Sequence, residues 1–379
     1  INRYFLKSEA DRGAFQDTNR LPGFMSLFCS SSEDSNQSRA ERMWILQMVC
    51  DSLVDASCYR LVASCHAPEM ILTSFENVRL SNSSKEAKGA EICLLLESLK
   101  CMIDHGEIGS LVHLVKRCGI VSWMSSLCRS KSLHMTFPTE RSKISFCKLA
   151  KSTVDIVFSS PQLKSSNVGD EMCYLIQPLL SLCMTGCDSG RFHDVYRASF
   201  AVLRSISIGL TSIRNEGFSC AHIQPMGASV ETCLFVLKIS DDSMKELSLQ
   251  TMCGLPISLA GSSQEQAQNL IYMLLNYFHV ITNKAYPTPS FSMIREKCDL
   301  IRLVLRRIEL LQEKYKAKTS PAAVNIVKML LVIRCDSRIS DIEVRGLWSR
   351  CLGLFVQNTS SIGNDIALSE FGILKSFRS

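Results

Sequence analysis

The stretch Glu41–Leu53 (ERMWILQMVCDSL) constrains the rest of the chain. Met43, Leu46, Cys50 and Leu53 recur at +3, +7 and +10, which places them on one stripe of an α-helix. Trp44, Ile45 and Val49 widen that stripe, so more than one neighbour must cover it. The pattern then recurs along the chain. Ile92, Leu95, Leu96, Leu99 and Ile103 share a face of a helix predicted over Glu86–Asp104. Phe192, Val195, Tyr196, Ser199, Val202, Leu203, Ile206 and Leu210 make a wide stripe, and Ala267, Leu270, Ile271, Leu274, Phe278 and Ile281 make another. About a dozen helices follow one another in this reading, with no convincing strand between them. Local units of about 35–50 residues fall in the range of HEAT or armadillo helix pairs. No exact sequence repeat is present. The expected fold is therefore all-α, a HEAT/armadillo-like helical-repeat solenoid, in which each helix pair touches its neighbours and leaves long surfaces.

Local punctuation divides the chain. Residues 1–38 are mixed and end in a polar linker, Ser30 to Ser38. Residues 39–216 form a first helical half, and residues 217–379 a second that contains a long helix over 290–317. Ala67-Pro68-Glu69 reads as a helix start, because proline is tolerated where no N–H is needed. Thr139 is a predicted N-cap for a helix reaching Phe158. Gly106 is placed as a left-handed C-terminal cap and Gly119 as the close of a helix over Glu107–Lys116. Pro178 is expected to kink or restart its helix. Thr211 to Ala228 reads as a loop, and Val230 to Ile239 as a helix.

Composition excludes several classes. The 379 residues begin at Ile1, and the chain reads as a piece of a longer one. No apolar run approaches the ~20 residues a membrane-spanning helix needs. The strongest, Leu270 to Ile281, is interrupted by Asn276 and His279. Eighteen cysteines are spread through apolar runs such as Ile92-Cys93-Leu94, which suits thiols used as small core hydrophobes in cytosol or nucleus better than a disulfide framework.

Catalytic signatures are missing. Gly186-Cys187-Asp188-Ser189-Gly190 lacks the Gly-Lys-Ser/Thr end of a phosphate loop and reads as a turn between helices. There is no Gly-x-Ser-x-Gly elbow and no His-Glu-x-x-His pair. Cys183, Cys187, His193, Cys220 and His222 offer zinc-ligand chemistry, but without a Cys-x-x-Cys pair and with Cys183 on an apolar face they read as core thiols. His66, His105, His113, His134 and His279 stand singly. The chain is expected to be no enzyme, with no metal, no cofactor and no small-molecule substrate.

Charge carries the one binding signal. Arg295 to Lys318 holds eight Lys/Arg and four Asp/Glu, a net +4, against +6 for the whole chain. On a helical wheel Ile294, Cys298, Ile301, Leu305 and Ile308 form an inward stripe. Arg295, Arg302 and Arg306 flank it, while Arg307, Lys314 and Lys318 share another face. These six are candidate contacts to RNA phosphates, an interaction that weakens as salt rises. The bland reading is a solvated face with Glu309 and Glu313 as intrahelical partners. Aromatic residues are not interleaved, so any contact is to backbone and shape.

Some local sequences resemble a known family. Glu41-Arg42-Met43-Trp44-Ile45-Leu46-Gln47, Cys58-Tyr59-Arg60-Leu61, Ala67-Pro68-Glu69-Met70-Ile71-Leu72-Thr73-Ser74-Phe75 and Gly119-Ile120-Val121-Ser122-Trp123-Met124 are similar to the C-terminal domain of the nucleolar pre-ribosomal-associated protein 1 (Urb-type) family. Leu21-Pro22-Gly23-Phe24-Met25-Ser26-Leu27-Phe28 also fits. The likeness covers about a third of the chain, as judged by these local matches. Asp51-Ser52-Leu53 departs from an expected glycine before the leucine, and Phe75-Glu76-Asn77-Val78 from a Phe-x-Ser-Pro-like step. The resemblance implies a nucleolar scaffold of early large-subunit ribosome assembly, holding precursor rRNA and other assembly factors, including an RNA helicase. A protein-only helical-repeat adaptor in nucleus or cytosol is the alternative that the residues themselves leave open.

Overall fold

A computed structural model describes residues 21–30, 36–53, 55–129, 133–163, 166–188, 191–192, 194–215, 227–240, 244–258, 262–283 and 303–311. The chain divides into two compact units, Ile1–Ser219 and Cys220–Ser379. Among the described residues both are built mainly from helices. The predicted ends of the 290–317 helix lie outside the described residues.

In the first unit the helices are α1 (Leu21–Ser30), α2 (Asn36–Ser52), α3 (Ala56–Ser64), α4 (Ala67–Leu80), α5 (Lys85–His105) and α6 (Ile108–Val112). α6 runs into a π turn, His113–Arg117. Then come α7 (Ile120–Arg129), α8 (Leu133–Thr136), α9 (Glu140–Ser159), α10 (Ser166–Cys173), α11 (Ile176–Thr185) and α12 (Asp194–Asn215). Caps written in the sequence start several of them. The Asp55 carboxylate accepts from the Cys58 N–H at 2.9 Å. Hydrogen bonds from the Ser57 hydroxyl and the Cys58 amide hold that carboxyl down to about 2. Thr139 and Ser142 exchange side-chain-to-backbone bonds in a capping box at the start of α9. Pro178 sits in the first turn of α11, after the chain breaks at Tyr174–Leu175, so the helix restarts there.

The long helices pack one on the next: α2 on α5, α5 on α9, α9 on α12. Polar pairs mark the register. Arg42 meets Glu91 after 49 residues, Cys50 meets Ser98 after 48, Ser145 meets Glu97 after 48, and Cys147 meets Ser199 after 52. The shorter helices follow the same interval, since Ser122 on α7 donates to Glu171 on α10 across 49 residues. Phe75 on α4 meets Trp123 on α7 edge to face, with ring centroids 4.9 Å apart. Ile92, Leu96, Leu99, Phe146, Leu149, Ile206 and Leu203 are buried where these faces meet. Of these, Ile92, Leu96, Leu99, Leu203 and Ile206 are apolar positions that the helical period assigns to the inward face.

Close approach is built in at Gly209. A Cβ there would run into the Phe158 ring. Gly209→Ala is therefore expected to cost about 1–3 kcal/mol through overpacking. The effect would appear as a lower urea midpoint at an unchanged m-value.

In the second unit α13 (Val230–Ile239) packs against α14 (Lys245–Gly254) and α15 (Gln264–Asn283). The chain is also helical over 303–311, termed α16. Val230, Cys233, Val236 and Leu237 are buried, which confirms the helical reading of this stretch. Among the described residues no helix is long and apolar enough to cross a membrane.

Several expectations need correction. Two short strand pairs exist: β1 (Cys187–Asp188) antiparallel to β2 (Arg191–Phe192), and β3 (Ala228–Ser229) parallel to β4 (Ile257–Ser258). Each is two residues long, too short to leave a periodic signal. Phe192 thus precedes α12 instead of belonging to its stripe, and α12 runs on to Asn215 into the predicted loop. Gly106 is extended, at φ −75°, and left-handed geometry appears instead at Gly119, φ +63°. His66, ahead of α4, also takes left-handed geometry, at φ 56°. Trp44 is 47% exposed and stands outside the buried stripe, whereas Ile45, Leu46 and Val49 are within it.

Candidate functional site

The basic stretch is partly visible in α16. Val304, Leu305, Ile308 and Leu311 are buried, so Leu305 and Ile308 face inward as the helical wheel predicts. Arg306 is exposed. Arg307 corrects the expectation of an outward cation: it is 7% exposed. Its guanidinium donates to the carbonyls of Cys253 at 2.7 Å, Met252 at 3.4 Å and Leu255. Those carbonyls end α14, where a helix leaves acceptors without intrahelical donors and where its dipole favours a cation. Arg307 therefore serves as a C-terminal cap for another helix. Arg295, Arg302, Lys314 and Lys318 lie outside the described residues.

Arg307→Met should accordingly destabilise the second unit by about 2–3 kcal/mol, since it strips charged donors from enclosed carbonyls. Far-UV circular dichroism during urea unfolding checks this. A surface cation at that place would give a change within about 0.5 kcal/mol.

The thiols behave as core groups. Cys93, Cys128, Cys147, Cys233 and Cys253 are free and buried. Burial pushes the Cys147 and Cys253 thiols up to about 12 and Cys233 to about 11, far from a nucleophilic thiolate. In the Cys183-centred zinc set, Cys183 is fully buried and its thiol points at the Tyr196 carbonyl, 3.9 Å away. His193, Cys220 and His222 lie outside the described residues.

Among the described residues one cluster of metal-ligating side chains forms, from residues that look isolated in the sequence. Glu69 on α4 reaches His113 and Cys118 at the π turn, and one ligand atom from each lies within 4.8 Å of the others. Glu69 Oε1 is 3.7 Å from His113 Nε2, and Cys118 Sγ is 3.6 Å from His113 Nδ1. Burial first, and Glu69 second, push the Cys118 thiol up to about 12. A spacing of five residues would put His113 and Cys118 about 140° apart on an α-helix, at 100° per residue, so the periodic reading separates them.

These features define a class: a chain that, among the described residues, is mostly helical. Residues 1–132 match the family model described as nucleolar pre-ribosomal-associated protein 1. The match includes the segments that carry the resemblance, and the family's description is of nucleolar, pre-ribosomal association. No curated protein sequence matches the chain.

Proposed function

We propose that the chain is a non-catalytic scaffold in early assembly of the large ribosomal subunit, acting in the nucleolus. It holds precursor rRNA and companion assembly factors, an RNA helicase among them, while the rRNA folds and is processed. On this reading it corresponds to the C-terminal domain of the Urb-type branch of the family, and its stacked helices are a HEAT/armadillo-like solenoid. The observation that carries the proposal is the family match over residues 1–132. The recurring 48–52 residue register adds support, because arrays of this kind present long surfaces instead of a closed cleft.

RNA contact falls to Arg295, Arg302, Arg306, Lys314 and Lys318, with Arg307 withdrawn from the set by its role in the fold. Filter binding of precursor rRNA across a salt series tests this. The expected result is submicromolar affinity at low salt, with a steep negative slope of log K against log salt. Replacing the five cations by alanine should flatten that slope by about 0.7–0.9 for each phosphate no longer neutralised. An unchanged slope would assign RNA contact elsewhere. Undetectable binding at low salt, alone and with partners, would favour the protein-only adaptor.

A further inference from the structure

The cluster at the π turn has the donor chemistry of a metal site. π turns are rare and occur mostly as single turns at functional places. Here the wide turn bonds the Cys118 N–H to the His113 carbonyl at 3.0 Å and sets the two side chains together. Gly119, at φ +63°, turns the chain away immediately afterwards. From the other side Glu69 enters from the first turn of α4. Its Oε1 is held between His113 Nε2 at 3.7 Å and His66 Nδ1 at 4.0 Å. Its Oε2 is enclosed and, among the described residues, has no hydrogen-bond partner. Burial first, then the nearby Cys118 and Glu69, push the phenol of Tyr59, 1% exposed, up from its usual range. An enclosed carboxylate oxygen without a donor calls for a cation or a water.

We propose that Glu69, His113 and Cys118 bind one zinc ion, with water in the fourth position. The donor set is one oxygen, one nitrogen and one sulfur. Calcium and magnesium take oxygen ligands, so the thiol and imidazole exclude them. Zinc accepts all three, at about 2.0 Å for nitrogen and oxygen and about 2.3 Å for sulfur. Glu69 and Cys118 now face different ring nitrogens of His113, Nε2 and Nδ1, so binding turns the imidazole and closes ligand atoms that lie within 4.8 Å to the about 3.3–3.5 Å of a tetrahedral site. Binding converts the thiol to a zinc thiolate and releases its proton to solvent, with no change of oxidation state. The ion joins the start of α4 to the π turn after α6. It thereby ties two successive levels of the helix stack, one helix turn or so from the Phe75–Trp123 contact.

The test uses the full chain, reduced and stripped of metal, titrated with Co²⁺ and then Zn²⁺. The expected result is one Co²⁺ per chain with a thiolate-to-cobalt charge-transfer band, displaced by one equivalent of Zn²⁺ and indifferent to excess Mg²⁺. Cys118→Ser removes the band. Glu69→Gln and His113→Ala weaken zinc binding about tenfold or more. Cys65→Ser, which alters a neighbouring thiol outside the cluster, leaves it unchanged. Zinc raises the melting temperature of the parent chain but not of Cys118→Ser. If circular dichroism shows Cys118→Ser to be unfolded, Cys118→Ala takes its place in the same titration. No band at equimolar Co²⁺, or a band that survives in the folded cluster variant, overturns the proposal.

Discussion

Glu91→Ala is expected to destabilise the first unit by about 3–5 kcal/mol, because it leaves a buried guanidinium without its counter-charge. Glu91 is 3% exposed. Its Oε1 accepts from Arg42 Nε at 2.7 Å, and its Oε2 lies 3.4 Å from Arg39 Nε. Arg39 also donates to Ser83 at 2.6 Å, which ties α2 to the turn before α5. The pairing is thus a seam between two successive long helices. A buried ion pair adds little beyond what a well-packed apolar pair would give, since desolvation offsets the attraction. The asymmetry is the useful part. Glu91→Ala should be severe, whereas the double change Glu91→Leu with Arg42→Met should return most of the lost stability. Urea unfolding followed by tryptophan emission reads it out, because Trp44 and Trp123 both belong to this unit. A single mutant within about 1 kcal/mol of the parent would place Glu91 in contact with solvent, against the structure.

Phe75→Ala should be comparably costly, about 3–5 kcal/mol. Phe75 is fully buried on α4. Its ring meets the edge of Trp123 on α7 and lies 6.1 Å from Phe137. Phe137 in turn stacks on Phe146 of α9 at 4.6 Å. Phe75, Phe137 and Phe146 therefore carry packing from the shorter helices into the long ones. Truncation removes the transferred area, leaves a cavity and forfeits the edge-on interaction, itself worth about 0.5–1.5 kcal/mol. Phe75→Leu keeps most of the volume and should cost less than half as much. Equal losses for the two variants would contradict packing as the cause.

Local chemistry was legible in the sequence where both partners are near each other in the chain. The Thr139 cap, the proline start at Ala67–Pro68 and the inward stripe of α5 depend on residues within one or two turns, and they stand as read. Arg307 could not be read this way. The carbonyls that fix it come from α14, 52 to 55 residues earlier, and a wheel shows only which side a residue faces. Val304 and Leu311 widen the buried face of α16, so Arg307 falls within it. The Glu69–His113–Cys118 cluster was hidden for two reasons. A five-residue spacing reads as opposite sides of an α-helix, and Glu69 comes from a different helix. The signal that could have exposed it is Gly119 closely following a Cys that lies five residues after a His, the sequence of a turn widened at a helix end.

Crosslinking within purified nucleolar precursors of the large subunit tests the proposed scaffold role most directly. The chain is expected to crosslink to precursor rRNA through the 295–318 basic stretch, and to assembly factors along the helix stack, in the earliest particles. Recovery of the chain only with proteins, outside pre-ribosomal particles and without rRNA crosslinks, would contradict that role.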